Sequence, residues 1–173
     1  MSDDFAHRLS LDRIRDGDRI ELVASEGERR AVAKRLGLSS LDRLEANATL
    51  SRNGDIVRAC GRVQASLGQS CVVTGEPVAA HVDDPFDLMF LPEPEGTGGD
   101  EEIELGEGDC DVVFHDGAAI DIGGAIADTL ALAIDPYPRS AGAEAALKEA
   151  GVVSEAEAGP FAALAALKKK GES

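Results

Sequence analysis

Residues 70–78, with the sequence SCVVTGEPV, are where this chain comes closest to a chemical site. Two cysteines separated by two residues on such a turn would supply half of a tetrahedral zinc site, because both thiolates can reach one ion. Here Cys71 stands at the first position of that spacing and Thr74 stands at the second. One thiolate and one neutral hydroxyl hold structural zinc poorly. The sequence therefore predicts a turn without metal, in which Cys71 is a small, partly buried residue.

No other stretch of the sequence carries a catalytic motif. His7, His81 and His115 are isolated from one another, and neither a Gly-x-Ser-x-Gly element nor a phosphate-binding loop is present. We expect each histidine to lie exposed on a strand or loop. A redox or hydrolytic role for Cys71 is an alternative that requires an exposed thiolate and a neighbouring base. The sequence otherwise predicts a protein without catalytic residues, metal ligands or a cofactor.

Charge is distributed unevenly along the 173 residues, whose formal net charge is −16. Residues 1–62 hold 12 basic and 11 acidic side chains, residues 63–138 hold none and 17, and residues 139–173 hold five of each. The purely acidic middle repels phosphate, and single-stranded RNA binding also favours aromatic residues, which are few here. One interpretation of the acidity is solubility. The other is attraction to a basic partner such as a ribosomal protein.

The composition indicates a folded protein, since 43% of the residues are hydrophobic and 29% are charged. The N-terminal MSDDFAHRLS does not resemble a signal peptide, and no run approaches the roughly 20 apolar residues of a membrane span. The odd number of cysteines does not indicate a disulfide framework. We expect a cytoplasmic protein with reduced thiols and no membrane association.

Two local signals dominate the first 40 residues. Short apolar runs flank Asp16-Gly17 and predict a tight hairpin there, because glycine accepts a positive φ. A Ser-x-x-Glu capping box begins at Ser25, and Gly37 is placed to end the basic stretch that follows. Together these residues predict a helix at about 26–36.

The Asn53-Gly54 pair is the strongest hairpin signal in the chain. Both flanks alternate with period two, so the sequence predicts a β-hairpin over residues 43–67. Cys60 falls on the face opposite the core. The predicted core-facing residues are Leu44, Ala46, Ala48, Leu50, Val57, Ala59, Val63, Ala65 and Leu67.

Alternating runs continue beyond the turn at residues 75–77 as far as Phe90. They predict that the middle of the chain is antiparallel β. Residues 92–110, rich in proline, glycine and acidic residues, predict a flexible acidic loop. The apolar stretch at 112–114 predicts one more short strand.

The last third of the chain predicts helices. Asp121 can cap a helix over 121–134, because apolar residues recur there at helical spacing and prolines follow. Residues 140–160 have weak helical character. Residues 161–170 predict a short amphipathic helix that ends in three lysines.

These elements predict an α+β fold, in which antiparallel β-hairpins form a sheet or partly closed barrel packed against one main helix. They also predict two domains. Residues 1–139 form a single α+β domain that contains the acidic loop, and residues 140–173 form an Ala/Glu-rich segment with the C-terminal helix.

Three separated motifs resemble a known family. They are LGQSCVVTGEPVAAHVDDPFDLMFLPE, AIDIGGAIADTLALAIDPYPR and the terminal PFAALAALKKK. In this order they are similar to the YceD family of large ribosomal RNA subunit accumulation proteins, and most closely to its alphaproteobacterial type. Many relatives carry Cys-x-x-Cys at the turn. Here Cys71 matches the first cysteine, Thr74 replaces the second, and Glu76-Pro77 match the family's residues after the second cysteine, so the departure at Thr74 argues against a metal role in this chain.

The resemblance implies a cytoplasmic, non-enzymatic protein that supports accumulation of 23S ribosomal RNA and ribosome biogenesis. Together with the acidic charge, it predicts binding to a basic ribosomal protein or a large-subunit assembly intermediate, with indirect contact to ribosomal RNA. The C-terminal helix could dock on that partner or pack on its own domain. The predicted partner-binding residues are Cys71, Thr74, Gly75, Glu76, Pro77, Phe161, Leu164, Leu167, Lys168, Lys169 and Lys170.

The alternative hypothesis is direct binding of ribosomal RNA by basic residues of the predicted helix and hairpin. It predicts a steep dependence on salt, since each lost phosphate contact removes about one unit of slope. A solvated helix face is the simpler interpretation of the helix residues. The residues of this alternative are Arg29, Arg30, Lys34, Arg35, Arg58 and Arg62.

Overall fold

The computed structural model describes residues 5–94 and 110–152 of the chain. The chain divides into two compact units, Met1–Gln69 with Ala79–Pro136, and Ser70–Val78 with Tyr137–Ser173. The predicted domain division after residue 139 stays a prediction. Most of the predicted acidic loop and the whole predicted helix at 161–170 lie outside the described residues.

Seven strands and three α-helices make up the described structure. A single turn of 3-10 helix, Leu11–Arg13, follows the first strand. No helix in the described part of the chain is long and apolar enough to cross a membrane. The elements are β1 (Arg8–Ser10), β2 (Arg19–Val23), α1 (Glu26–Leu36), β3 (Ser40–Asn53), β4 (Ile56–Ser70), β5 (Pro77–Pro92), β6 (Asp111–His115), β7 (Ala119–Asp121), α2 (Ile122–Ala133) and α3 (Ala143–Glu149).

The first unit contains a five-stranded sheet in the order β2-β3-β4-β5-β6, and β1 pairs separately with β7. The α+β class and the predicted sheet are confirmed. The partly closed barrel is wrong, because within the described residues the strand order does not return from β6 to β2. Both edge strands have five residues, whereas the three central strands have 14 to 16. The edge strands therefore offer few backbone N–H and C=O groups that could pair with each other to close a barrel.

The short strand predicted at 112–114 forms as β6, whose direction the sequence had left open. This strand runs parallel to β5, with Leu88 opposite Asp111 and Pro92 opposite His115. A parallel neighbour requires a connection of a dozen or more residues. Residues 93–110 between the two strands meet that requirement, whereas a tight turn would not.

The hairpin predicted over residues 43–67 is confirmed, with a different turn. Asn53 pairs with Ile56, so the loop consists of Gly54 and Asp55, and Gly54 adopts a φ of 62°. Leu50 consequently pairs with Ala59, whereas a loop made of Asn53 and Gly54 would have paired it with Val57. A shift of two keeps the same side chains on each face, because the side-chain period of a strand is two. All nine predicted core-facing residues are buried.

The hairpin predicted around Asp16-Gly17 is wrong, although the chain turns there with a φ of 85° at Gly17. Leu9, which precedes the turn, lies in β1 and pairs with Ile120 of β7, while β2 after the turn pairs with β3. The Gly17 N–H donates to the Leu50 carbonyl (2.8 Å). The turn is thus tied to the end of β3, and long-range pairing overrides the local signal.

The helix predicted at about 26–36 and the main helix predicted over 121–134 are both confirmed, and each is capped by the predicted residue. At α1, Ser25 N donates to Glu28 Oε2 (2.7 Å), and Glu28 N donates to Ser25 Oγ (3.4 Å). Gly37 ends this helix in the left-handed conformation, with a φ of 66°. At α2, Gly124 N donates to Asp121 Oδ1 (3.1 Å). These caps satisfy N–H and C=O groups that lack partners within the helix.

One hydrophobic core joins the inner face of the sheet to both helices of the first unit. Val32 of α1, Phe90 of β5, and Ile126 and Leu130 of α2 are fully buried in it. Burying a side chain of this size contributes about 1.5–3 kcal/mol to folding. This core therefore positions the strands and helices of the first unit.

The expectation of exposed histidines is confirmed for His7 and His81 and is wrong for His115, which is 5% exposed. The ring of His115 has a partner on each nitrogen. Gly117 N donates to Nδ1 (3.0 Å), so Nε2 carries the proton and donates to the Asp55 carbonyl (2.8 Å). A histidine with both nitrogens satisfied is buried at little cost.

Candidate functional site

The turn predicted at residues 75–77 forms within the second unit, between β4 and β5. Cys71 N donates to the Glu76 carbonyl (2.7 Å), and Gly75 N donates to the Cys71 carbonyl (2.9 Å). Gly75 has a φ of 74°, a conformation that favours glycine. Val72 N donates to the Pro138 carbonyl (2.9 Å), so the turn is bound to a segment far along the chain.

The Cys71 thiol is buried, at 3% exposure, and is surrounded by backbone donors. Its Sγ accepts hydrogen bonds from Val73 N (3.4 Å), Thr74 N (3.4 Å) and Ser140 N (3.2 Å). Hydrogen bonds from Thr74, and to a smaller extent from Ser140, lower the pKa of Cys71 to about 6, although burial acts in the opposite direction. Cys71 is thus more buried than predicted, and it is a thiolate at neutral pH.

The Thr74 hydroxyl, which replaces the second cysteine of the motif, bonds to Glu76. Thr74 Oγ1 donates to Glu76 Oε2 (3.0 Å), and Ser140 Oγ donates to the same oxygen (2.7 Å). The bonds from Ser140 and Thr74 hold the pKa of Glu76 below its usual range. Glu76 is exposed, so the turn presents an ionised and positioned carboxylate to solvent.

Two observations bear on metal binding and nucleophilic catalysis at this turn. Within residues 5–94 and 110–152, no group of three His, Cys, Asp or Glu side chains is arranged to hold a metal ion. Cys71 is buried, at 3% exposure, so the thiolate is not presented to a substrate. The metal-free turn stays a prediction, because it concerns an absence.

The structure places only part of the predicted partner-binding set. Thr74, Gly75, Glu76 and Pro77 are exposed, and Cys71 is buried beneath them. Two neighbours were missed by sequence reasoning. They are Val72, an apolar side chain with 54% exposure, and Ser140, whose contact with Cys71 spans 69 positions. No local sequence signal connects such distant residues. The predicted residues that lie outside the described part are Phe161, Leu164, Leu167, Lys168, Lys169 and Lys170.

The hairpin arginines of the alternative RNA site are paired with carboxylates of β5. Arg58 Nε donates to Asp87 Oδ1 (2.8 Å), and its Nη2 contacts the second oxygen of the same group. Arg62 Nε donates to Asp83 Oδ1 (2.9 Å). The bonds from Arg62 and Arg58 lower the pKa of Asp83 and of Asp87, respectively. These pairs offset the positive charge of the face.

Cys60 lies beside one of these pairs, on the exposed face as predicted. Its Sγ donates to Asp87 Oδ1 (3.3 Å). Burial and then the Asp87 carboxylate raise the pKa of Cys60, so it remains a thiol at neutral pH.

Three of the four basic residues of α1 also contact oxygens of the chain itself. Arg29 Nη1 donates to the Ala24 carbonyl (3.0 Å), Arg30 forms an ion pair with Glu26, and Arg35 lies 3.4 Å from Asp128. A groove of about 530 Å³ beside the start of β3 is lined by Arg29, Arg30 and Lys34, but not by Arg35. Glu26 and Asp42 line the same groove, so its charge is mixed.

Comparison with known proteins gives one match. The family model described as large ribosomal RNA subunit accumulation protein YceD matches residues 59–168. Searches of curated proteins and of solved structures found no match. The matched range contains the turn with Cys71, the acidic middle of the chain, and α2.

Proposed function

Because the chain belongs to the YceD family of large ribosomal RNA subunit accumulation proteins, we propose that it promotes large-subunit assembly by binding a basic protein. The partner is a basic ribosomal protein or an assembly intermediate that displays one, and the consequence is accumulation of 23S ribosomal RNA. The protein acts in the cytoplasm as a binding factor without catalysis. The family description accordingly names an accumulation protein and not an enzyme.

The observation that supports a protein partner is the charge of residues 63–138, which hold 17 acidic side chains and no lysine or arginine. Complementary charge accelerates association and disfavours partners of like charge. The described contacts strengthen this argument, because Arg58 and Arg62 already face Asp87 and Asp83. A phosphate that approached either arginine would also approach an aspartate.

The exposed turn is a suitable contact point for a basic partner. Glu76 presents a carboxylate that two hydroxyl groups hold in place, so little side-chain freedom is lost on binding. Val72, with 54% exposure, supplies an apolar surface on the same turn. The C-terminal residues 161–170 remain a second proposed contact, on the basis of their amphipathic sequence.

Affinity capture of the full chain from cells under mild salt tests the proposal. We expect large-subunit ribosomal proteins to be retained, and to remain bound after ribonuclease treatment because the contact is between proteins. Loss of every ribosomal protein on ribonuclease treatment would contradict the proposal. A truncation that removes 161–173 is a separate arm. If the truncated chain is folded and retains its partners, docking through the C-terminal residues is excluded.

Direct RNA binding is the second candidate function, and the groove lined by Arg29, Arg30 and Lys34 is the observation that favours it. A salt titration with protein-free fragments of ribosomal RNA tests it. We expect no saturable binding at about 100 mM salt, because the net charge of the chain opposes phosphate. Saturable binding that Lys34→Gln weakens, with a reduced salt slope, would support the RNA hypothesis instead.

A further inference from the structure

A second groove opens at one end of the sheet in the first unit, and it shares no lining residue with the groove beside α1. It lies where the β3–β4 hairpin loop, the end of β5 and the end of β6 come together, and its volume is about 880 Å³. The lining residues are Asp55, Ile56, Leu91, Pro92, Glu93, Pro94, His115, Asp116 and Gly117.

The groove has an exposed apolar surface. Ile56 is 40% exposed even though it closes the hairpin, and Pro92 and Pro94 are exposed beside it. Leu91 lies beneath them and is buried. One aliphatic side chain of a partner could therefore cover Ile56 and both prolines.

The walls of the groove are held in place by hydrogen bonds. The buried His115 ring joins the hairpin loop to the next turn, since Nε2 donates to the Asp55 carbonyl (2.8 Å) and Nδ1 accepts from Gly117 N (3.0 Å). Glu93 N donates to the His115 carbonyl (3.0 Å). The hairpin loop, the end of β5 and the turn after β6 are thus all fixed to one residue. A preorganised groove loses little conformational entropy on binding.

The rim of the groove is acidic. Asp116 forms an ion pair with Arg8 (3.2 Å). Hydrogen bonds from the backbone N–H groups of Ala118 and Ala119 lower the pKa of Asp116 more than Arg8 does. The carboxylates of Asp55 and Glu93 have no hydrogen bond or ion pair within the described residues.

We propose that this groove binds a lysine- or arginine-rich protein segment, with one apolar side chain of that segment seated against Ile56, Pro92 and Pro94. The inference rests on the proposed function and identifies the surface that recognises the basic partner. Charge complementarity selects the occupant, because Asp55 and Glu93 attract cationic side chains and repel RNA phosphates. The apolar contact provides the residence time, since a buried anchor dominates dissociation.

Nuclear magnetic resonance titration of the isotope-labelled full chain tests the inference. The probe is a short synthetic peptide of alternating lysine and glycine with one central leucine, and the control peptide has serine in place of leucine. We expect saturable shifts of the amides of Ile56, Glu93 and Gly117 with the leucine peptide. The serine peptide is expected to bind at least about fivefold more weakly, because the anchor is lost.

Matched variants separate the two contributions. Ile56→Ser is expected to weaken binding of the leucine peptide by about fivefold to tenfold, whereas Val23→Ser, a change at an apolar residue with 69% exposure outside the groove, leaves it unchanged. Asp55→Asn with Glu93→Gln is expected to flatten the salt dependence of binding. Asp12→Asn with Glu21→Gln makes the same change in net charge outside the groove and serves as its control.

Three results would overturn the inference. The first is equal binding of both peptides, and the second is the absence of a saturable shift in the groove. The third is a response of the same amides to an RNA oligonucleotide. Cellular capture then distinguishes this inference from the proposed function. If folded Ile56→Ser retains ribosomal proteins as the wild type does, the groove is not the docking surface and the proposed function stands. If the wild type retains none, the proposed function fails.

Discussion

Cys71 and Cys60 lie in opposite hydrogen-bonding environments, and their acid-base behaviour follows from that difference. The Cys71 Sγ accepts from three backbone N–H groups, which favours the charged form. The Cys60 Sγ lies 3.3 Å from the Asp87 carboxylate, which favours the protonated form. Thr74 in turn donates its hydroxyl to Glu76. The substitution within the Cys-x-x-Cys spacing thus accompanies a hydrogen-bonded turn.

We predict that Cys71 titrates with a pKa of about 6. Thiolate absorbance in the ultraviolet is expected to rise through that pH in the wild type, and this rise is expected to be absent in Cys71→Ser. Cys60→Ser is the matched control and is expected to leave the rise in place, because the pKa of Cys60 is raised. A titration midpoint at the ordinary thiol value would contradict the prediction.

The same pKa predicts how stability depends on pH. Since the pKa of Cys71 is lower in the folded chain than its ordinary value of 9.0, the thiolate stabilises the fold fully above 9.0. That stabilisation declines as the pH falls toward about 6 and is lost below it. The difference in unfolding free energy between wild type and Cys71→Ser is therefore expected to shrink over this range. Chemical unfolding at a series of pH values measures it.

At the scale of elements, the β3–β4 hairpin organises the first unit. It places Gly54-Asp55 at the edge of the acid-rimmed groove, and it carries Arg58 and Arg62 on the outer face. Gly61 of β4 lies opposite Ala48 of β3. A Cβ atom at Gly61 would come within 1.8 Å of the Asn47 carbonyl oxygen.

We predict that Gly61→Ala destabilises the protein by about 3 kcal/mol or more, because the overlapping atoms belong to the backbone and cannot move aside. Urea unfolding measures the change. Gly27→Ala is the matched control, since a Cβ there meets no atom within 4 Å in the first turn of α1. Its expected effect is stabilisation by about 0.5–1 kcal/mol. Equal unfolding midpoints for the two variants would disprove the close approach.

At the scale of the whole molecule, the formal net charge of −16 is the main influence on which partners the protein attracts. Four basic side chains of the RNA alternative are engaged by acidic partners, at the contacts Arg30–Glu26, Arg35–Asp128, Arg58–Asp87 and Arg62–Asp83. Exposed ion pairs of this kind add little stability, typically about 0–1 kcal/mol. Their larger consequence is for recognition, because a phosphate that approached one of these four arginines would also approach its carboxylate partner.

We predict that retention of the basic partner on the immobilised full chain falls steeply between about 50 mM and about 200 mM salt, because added ions screen the attraction between the two surfaces. The thermal unfolding midpoint of the free chain, measured at the same salt concentrations, shows whether folding is intact. Equal retention at both concentrations would mean that apolar contacts, and not charge, hold the complex.

The elements that sequence alone determined are those governed by neighbouring residues. The capping box at Ser25, the cap at Asp121, and the faces of the β3–β4 hairpin follow from spacings of two to four residues. Charge and the family resemblance are likewise properties of sequence, and the family match confirms the latter.

Only the tertiary structure decided which distant segments meet. It made β6 parallel to β5, buried His115 against Asp55, and brought Ser140 to Cys71. It also moved the hairpin loop by one residue without changing either face, since a strand pattern of period two specifies sides but leaves register open. Contacts between residues far apart in sequence depend on how all the apolar faces share one core, and no local spacing encodes that outcome.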